Sequence, residues 1–263
     1  MSTPLKSCFK WSGGKTDEIS KIKPFLPEYD IYVEPFAGGA ALYWHLRPQK
    51  AHINDVHPGV VALYRTIKAG GMAAIYDFCQ KHPNEEKTYY EVRKNEGTND
   101  LEVASRFYYL RKTCFRGMLR YNRKGKFNIP FGRYKTFNNE VLKNSEYEKT
   151  MRGTTITQDS FEEVFATNDN ENAFIFLDPP YDSVFTDYGY CRFAKEHHRR
   201  LAECFKNSKA KCLMVIGETP FIRELYEGYI KHSYPKKYRF KLLKGRVDDK
   251  INTNHLVICN YDV

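Results

Sequence analysis

No stretch of this chain stays apolar for the ~18 residues a membrane-spanning helix needs, and its amino terminus lacks the charged-then-apolar pattern of a secretion signal. Neither a membrane span nor export is therefore expected. The cysteines, at positions 8, 79, 114, 191, 204, 212 and 259, are odd in number, and no two have CxxC spacing. That argues against a disulfide frame and against a metal site, and reads as reduced thiols of an intracellular protein. Internal repeats and low-complexity segments are absent. The GxGxxG spacing is missing from the glycine turn after the first expected strand, so a ligand smaller than a dinucleotide is implied. Between residues 111 and 135 there is no Asp or Glu at all.

What is present is a globular chain of 263 residues, 41% hydrophobic and 15% aromatic, long enough to bury a real core in one large or two small domains. Its formal net charge of +10 favours a polyanionic partner if the cations cluster. They do cluster. Within 111–135 lie Arg111, Lys112, Arg116, Arg120, Arg123, Lys124, Lys126, Arg133 and Lys135, interleaved with Phe115, Tyr121, Phe127, Phe131 and Tyr134. Cations suit phosphates, aromatics suit stacking or wedging, and Arg or Asn suits base edges. Lys124-Gly125-Lys126 reads as the turn of a hairpin.

The stretch AFIFLDPPY carries the clearest chemistry. Ala173–Leu177 is an uninterrupted apolar run, as in a strand buried on both faces, and it delivers Asp178 to its carboxyl end. Pro179 and Pro180 then offer carbonyls and no backbone donors in a stiff frame. The corner reads as an acceptor site without a local donor, suited to a planar amino group, with Tyr181 as a ring to stack on a base.

Upstream, FKWSGGK (9–15) precedes a helix expected over 17–26 with Thr16 as its cap. A strand over 29–34 leads into Pro35-Phe36-Ala37-Gly38-Gly39-Ala40 and a helix from Ala41, the opening of a nucleotide-binding unit. A second strand over 50–55 ends in Asn54-Asp55, with Asp55 either a ribose-binding acid or a cap for the helix at Pro58. Helices are expected near 60–67, 72–79, 88–94 and 101–119, interrupting the α/β alternation. It resumes with a strand at Thr154–Thr157, a short helix at 161–165, the DPPY strand, an aromatic loop over 184–193, a helix over 196–206 whose His197 and His198 read as surface residues, a strand at Lys211–Gly217 and a helix over 220–229. Three closing strands, near Ile230, Tyr238 and His255, point to an antiparallel edge on a mostly parallel sheet.

Taken together, FKWSGGK, EPFAGG, IND, FRGMLRYNRKGKFNIPFGRYK and DPPY resemble the Dam-type DNA adenine-N6 methyltransferases, in that family's order and across nearly the whole chain. The resemblance implies an α/β fold: a Rossmann-like methyltransferase sheet over 1–55 and 146–263, with a helical and hairpin target-recognition domain inserted at 56–145. It implies S-adenosyl-L-methionine as cofactor and double-stranded DNA as partner, bound by a monomer, with no metal. Trp11, Lys15, Asp55 and Asp178 match cofactor contacts; Glu34, Phe36, Gly38, Gly39 and Ala40 would shape the pocket around the cofactor's methionine end, and Asp159 would touch its adenine region. Asp178, Pro179, Pro180 and Tyr181 would hold a flipped adenine. Phe115 matches an aromatic that inserts into the duplex and Arg120 an arginine that reads guanine, while Lys10, Met118, Asn122, Pro130, Arg133 and Tyr134 match other DNA contacts.

The resemblance implies GATC as target. Arg116, which also falls in the DNA-contacting run, stands where relatives carry a small or amide residue, and Gly217-Glu218-Thr219 replaces their Ser-Asn pattern. The residues alone leave other substrates open, since cytosine N4, a protein glutamine amide or adenine in RNA presents a comparable amine. A DNA-binding regulator without catalysis is the reading of a different class.

Overall fold

The computed structural model describes residues 3–182, 193–239 and 250–263. After a short helix α1 (Ile19–Ile22) come β1 (Ile31–Glu34), α2 (Ala41–Leu46), β2 (Ala51–Asn54), α3 (Pro58–Lys68), α4 (Met72–Lys81), α5 (Glu86–Lys94), α6 (Asp100–Thr113) and α7 (Glu146–Met151). Then follow β3 (Thr154–Thr157), α8 (Phe161–Thr167), β4 (Ala173–Leu177), α9 (Lys195–Asn207), β5 (Lys211–Gly217), α10 (Pro220–Leu225), β6 (Ile230–Arg239) and β7 (Lys250–Cys259).

The seven strands form one sheet in the order β3-β2-β1-β4-β5-β7-β6. The first five are mutually parallel, and β7 runs antiparallel to both β5 and β6, giving the expected antiparallel edge. β4 shows why both sheet faces are covered. Phe174 and Phe176 belong to the core shared with Leu42, Tyr43 and Trp44 of α2, whereas Ala173, Ile175 and Leu177 face Phe161 and Val164 of α8 and Leu201 of α9. Period-two alternation thus fills both layers with an unbroken apolar run. The core on the α2 side continues without a gap into Tyr89, Tyr108 and Ile129.

The chain order reverses between β1, which leads outward to β2, and β4, which leads outward to β5. Ligands in such sheets settle at the carboxyl ends of the strands flanking this reversal. Glu34 ends β1 and Asp178 follows β4, so two acids arrive there side by side. Asn54, at the end of β2, fastens the neighbouring loops: its Nδ2 donates to the carbonyls of Pro35 and Asp159, both at 3.0 Å. Its Oδ1 accepts from Asp159 N–H at 2.7 Å and from the Thr157 hydroxyl at 2.8 Å. Every hydrogen-bonding position of this buried amide is used.

Several expectations need correction. The helix over 17–26 is a chain of single turns, 3₁₀ at Thr16–Glu18, α1, and 3₁₀ at Lys23–Phe25, because Pro24 cannot continue a helix; Thr16 makes no cap. The helix over 101–119 stops at Thr113, since Cys114 is extended and pairs with Phe131, and Arg116 and Gly117 take left-handed φ of 55° and 58°. The strands near Ile230 and Tyr238 are one strand, which tolerates Pro235 because it lies at the sheet edge. His198 is buried, not on the surface: it shares with Leu201, Ala202 and Phe205 the face of α9 that packs inward, with Phe193 4.7 Å from its ring. His197 is half-buried. Apart from Phe193, the aromatic loop lies outside the described residues.

Candidate active site and nucleic-acid interface

A cavity opens at the carboxyl ends of β1 and β4. It is walled by the N-terminal loop from Trp11 to Lys15, by Glu34 and Phe36, by Gly38, Gly39 and Ala40, by Asp55 and His57, by Leu119, and by Asp178, Pro180 and Tyr181. The proline corner therefore faces the glycine turn across open space. Pro179, between Asp178 and Pro180, is buried and does not line the cavity.

Gly38 is held on both sides. Its N–H donates to Asp55 Oδ2 at 2.7 Å, and its carbonyl accepts from the Tyr64 hydroxyl at 2.7 Å. Its φ of +46° favours glycine, and the space demands it: a methyl group there would lie 2.7 Å from Cδ1 of the Trp11 indole. Ala40, the residue just before α2, adopts the same left-handed region with φ 47°. Asp55 is not the cap of α3. That role falls to His57, whose Nδ1 accepts from Gly59 N–H at 3.1 Å, while Asp55 Oδ1 accepts from His57 N–H at 2.8 Å.

The acceptor corner has a local donor after all. Lys15, 1% exposed, forms a short ion pair with Asp178 Oδ1 and also donates to the Gly13 carbonyl at 3.0 Å. Its Nζ lies 5.1 Å from the centre of the Tyr181 ring. That ring stands edge-on to His255 at 5.4 Å, and a side chain on Gly217 would come within 3.2 Å of it. Gly217, lacking a side chain, thus makes room for Tyr181.

Behind Lys15 sits Glu18, which accepts from His255 Nδ1 (2.5 Å), the Tyr234 hydroxyl (2.7 Å) and Lys236 Nζ (2.8 Å). Burial pushes its carboxyl up, but the His255 hydrogen bond, the charge of Lys15 and the Lys236 hydrogen bond take it down to about 2. This cluster was not foreseen, and only the buried position of Glu18 reveals it.

The cavity's electrostatics oppose those of the whole chain. Glu34, Asp55 and Asp178 share it with Lys15, the single cation among the described residues that line it. Burial, then the charge of Asp178, raises Glu34 well above the usual carboxylate range, and its buried Oε2 has no hydrogen-bond partner among the described residues. Burial also raises Asp55 to about 6 and raises Asp178 against the opposing pull of Lys15. Such a site favours a ligand carrying positive charge and hydroxyl donors over a phosphate. Asp159 is exposed on the loop after β3, and it does not line the cavity.

The basic run forms a turn and an open hairpin. Cys114 pairs with Phe131 and Tyr121 with Phe127, and Asn122 Oδ1 accepts the backbone N–H groups of Lys124 and Lys126 to shape the tip. Arg116, Arg120, Arg123, Lys124, Lys126, Arg133 and Lys135 are exposed, as are Lys10, Met118, Asn122 and Pro130. Phe115 and Tyr134 are half-buried, with the Arg116 guanidinium 5.2 Å over the Phe115 ring and Lys10 Nζ 5.9 Å over that of Tyr134. Arg120 donates to Asn128 Oδ1 at 2.8 Å, and Arg133 makes an exposed pair with Glu86 at 3.6 Å.

Arg111 departs from the run. It is 1% exposed and donates from Nη2 to the Lys10 carbonyl at 2.6 Å, with its guanidinium 5.4 Å over Trp11. It clamps the N-terminal loop to α6. No group of three His, Cys, Asp or Glu able to hold a metal occurs among the described residues, and no helix among them is long and apolar enough to cross a membrane.

Gly38→Ala should destabilise the protein by about 1–3 kcal/mol through overpacking and shift tryptophan emission as Trp11 is displaced. Urea denaturation and fluorescence read both, and an unchanged midpoint with unchanged emission contradicts this packing.

Residues 11–241 match the family model for the D12 class N6 adenine-specific DNA methyltransferases. Among curated proteins, type II methyltransferase M.CviBI of Paramecium bursaria Chlorella virus NC1A is 58% identical over 260 residues, covering 98% of this chain and 100% of that protein. Type II methyltransferase M1.LlaDCHI of Lactococcus lactis subsp. cremoris is 32% identical, covering 87% of each chain. The DNA adenine methylase of Vibrio cholerae is 30% identical, covering 85% of each. With the family matched over most of its length and a relative matched end to end, this chain belongs to the D12 class of N6 adenine-specific DNA methyltransferases.

Proposed function

We propose that the cavity binds S-adenosyl-L-methionine and that the enzyme uses it to methylate N6 of an adenine flipped out of duplex DNA. The observation that carries this reading is the position of Asp178, Pro180 and Tyr181 on the same cavity as the glycine turn. Glu34, with its unpartnered buried oxygen, suits the cofactor's ammonium; Asp55, with lone pairs left beyond its two backbone bonds, suits its hydroxyls. Trp11, Phe36, Gly39 and Ala40 complete the enclosure, and the assignment of Asp159 to the adenine end rests on the resemblance alone. When bound, the cofactor supplies an electrophilic methyl group on a sulfonium.

The chain's own residues do the rest. Adenine in a duplex hides its amino group, and extruding it costs a few kcal/mol. Tyr181, braced by Lys15, His255 and Gly217, stacks on the flipped base. Lys15 occupies Asp178 Oδ1, leaving Oδ2 to accept one amino hydrogen, while the Pro179 carbonyl accepts the other. Both bonds aim the nitrogen lone pair and offset the positive charge that builds on nitrogen.

Residues 56–145 act as the recognition region of a monomer on DNA. Exposed Lys and Arg neutralise phosphates, Phe115 wedges into the duplex, and Arg120 reads guanine. GATC is the target the resemblance gives, and Arg116 is the departure that bears on it. Lys10, Met118, Asn122, Pro130, Arg133 and Tyr134 surround the same face.

Asp178→Ala should lower methyl transfer by more than about a hundredfold while duplex affinity stays within about tenfold, read with radiolabelled cofactor and a binding titration. Substantial retained activity refutes the assignment. Sequencing DNA methylated by the wild-type enzyme should find N6-methyladenine confined to GATC; methylated adenines in another motif would overturn the target and leave the chemistry standing.

A further inference from the structure

The hairpin that presents the cations also forms part of the cavity wall. Leu119 lines the cavity beside His57, and its chain neighbours Met118 and Arg120 are exposed on the basic run.

His57 joins the two regions through its backbone N–H and its Nε2, while its Nδ1 sets the tautomer. Its backbone N–H is held by Asp55, whose other oxygen holds the glycine turn at Gly38. Its Nδ1 accepts from Gly59 N–H at 3.1 Å, which requires that nitrogen to be bare. Nε2 therefore carries the hydrogen and donates to the Tyr121 hydroxyl oxygen at 2.5 Å. Burial, reinforced by the charge of Arg111, lowers His57 to about 3 and keeps the ring neutral in this tautomer. The rings of Phe107 and Trp11, at 5.2 and 6.1 Å, restrict its rotation.

We infer that the His57–Tyr121 hydrogen bond, with Leu119 beside it, couples occupancy of the cavity to the conformation of the DNA-reading hairpin. The inference rests on the proposed function, in which this cavity holds S-adenosylmethionine and this hairpin meets DNA. A ligand seated on Asp55 and the glycine turn fixes the backbone at His57, the imidazole fixes Tyr121, and Tyr121 fixes the base of the hairpin opposite Phe127. His57 and Tyr121 are positioning residues. Because coupling is reciprocal, DNA seated on the hairpin tightens cofactor binding by the same factor.

Hydrogen exchange on the full chain, with and without S-adenosylhomocysteine, tests this in the wild type and in Tyr121→Phe, which keeps the ring and removes the hydroxyl. In the wild type the ligand should slow exchange both in the glycine turn at 37–40 and in the hairpin at 119–131. In Tyr121→Phe the glycine turn should still slow, while the hairpin's slowing falls by about threefold or more, the scale of one hydrogen bond. Equal slowing of the hairpin in both proteins, or none in the wild type, overturns the coupling. A wild-type protein in which even the glycine turn does not respond overturns the cofactor assignment, and the coupling with it.

Discussion

An ion pair between Lys15 and Asp178 organises the site. Lys15 lies in a loop without helix or strand, and Asp178 lies 163 positions later at the end of a buried strand. Both are largely out of water, at 1% and 21% exposure. Burying either charge alone would cost several kcal/mol, so each requires the other. The pair draws the N-terminal loop over the cavity and places a cation on the face of Tyr181. It also reaches the antiparallel edge of the sheet, because the acid behind Lys15 is Glu18, bound by Tyr234 and Lys236 of β6 and His255 of β7. Three separate parts of the chain thus converge on one corner.

The molecule divides its charge. Its net positive charge is carried outward on the hairpin, where Arg116, Arg120, Arg123 and their neighbours are exposed and suited to a polyanion. The cavity a few residues away is acidic, lined by Glu34, Asp55 and Asp178. Under the proposed function the enzyme holds a cationic donor and an anionic substrate side by side, and this segregation would keep the phosphates out of the donor's pocket. Leu119 and His57 mark the seam between the two surfaces.

The sequence was most informative where function depends on neighbours in the chain. The β4 strand, its proline corner and the glycine turn after β1 could be read because apolar runs, prolines and glycines act locally. The hairpin tip at Lys124-Gly125-Lys126 could be read for the same reason. Long-range pairing could not. The donor at Asp178, the burial of Arg111 under Trp11 and the His255–Glu18 contact, 237 positions apart, depend on folding that no local pattern encodes. His198 was misjudged because a single polar residue does not reveal which face of α9 turns inward, although Leu201, Ala202 and Phe205 at helical spacing held that information. The end of α6 at Thr113 was not legible because it is set by the pairing of Cys114 with Phe131, 17 positions on, which no local pattern encodes.

The dependence of Asp178 on Lys15 can be measured directly by following the Asp178 side-chain carboxyl carbon by NMR as pH is varied, in the wild type and in Lys15→Met. Burial raises this carboxyl and Lys15 opposes the rise. Removing the ammonium should therefore move the titration to higher pH, leaving Asp178 protonated over a wider range. An identical titration in the two proteins would contradict the account, since Lys15 would then not be what keeps this buried acid charged.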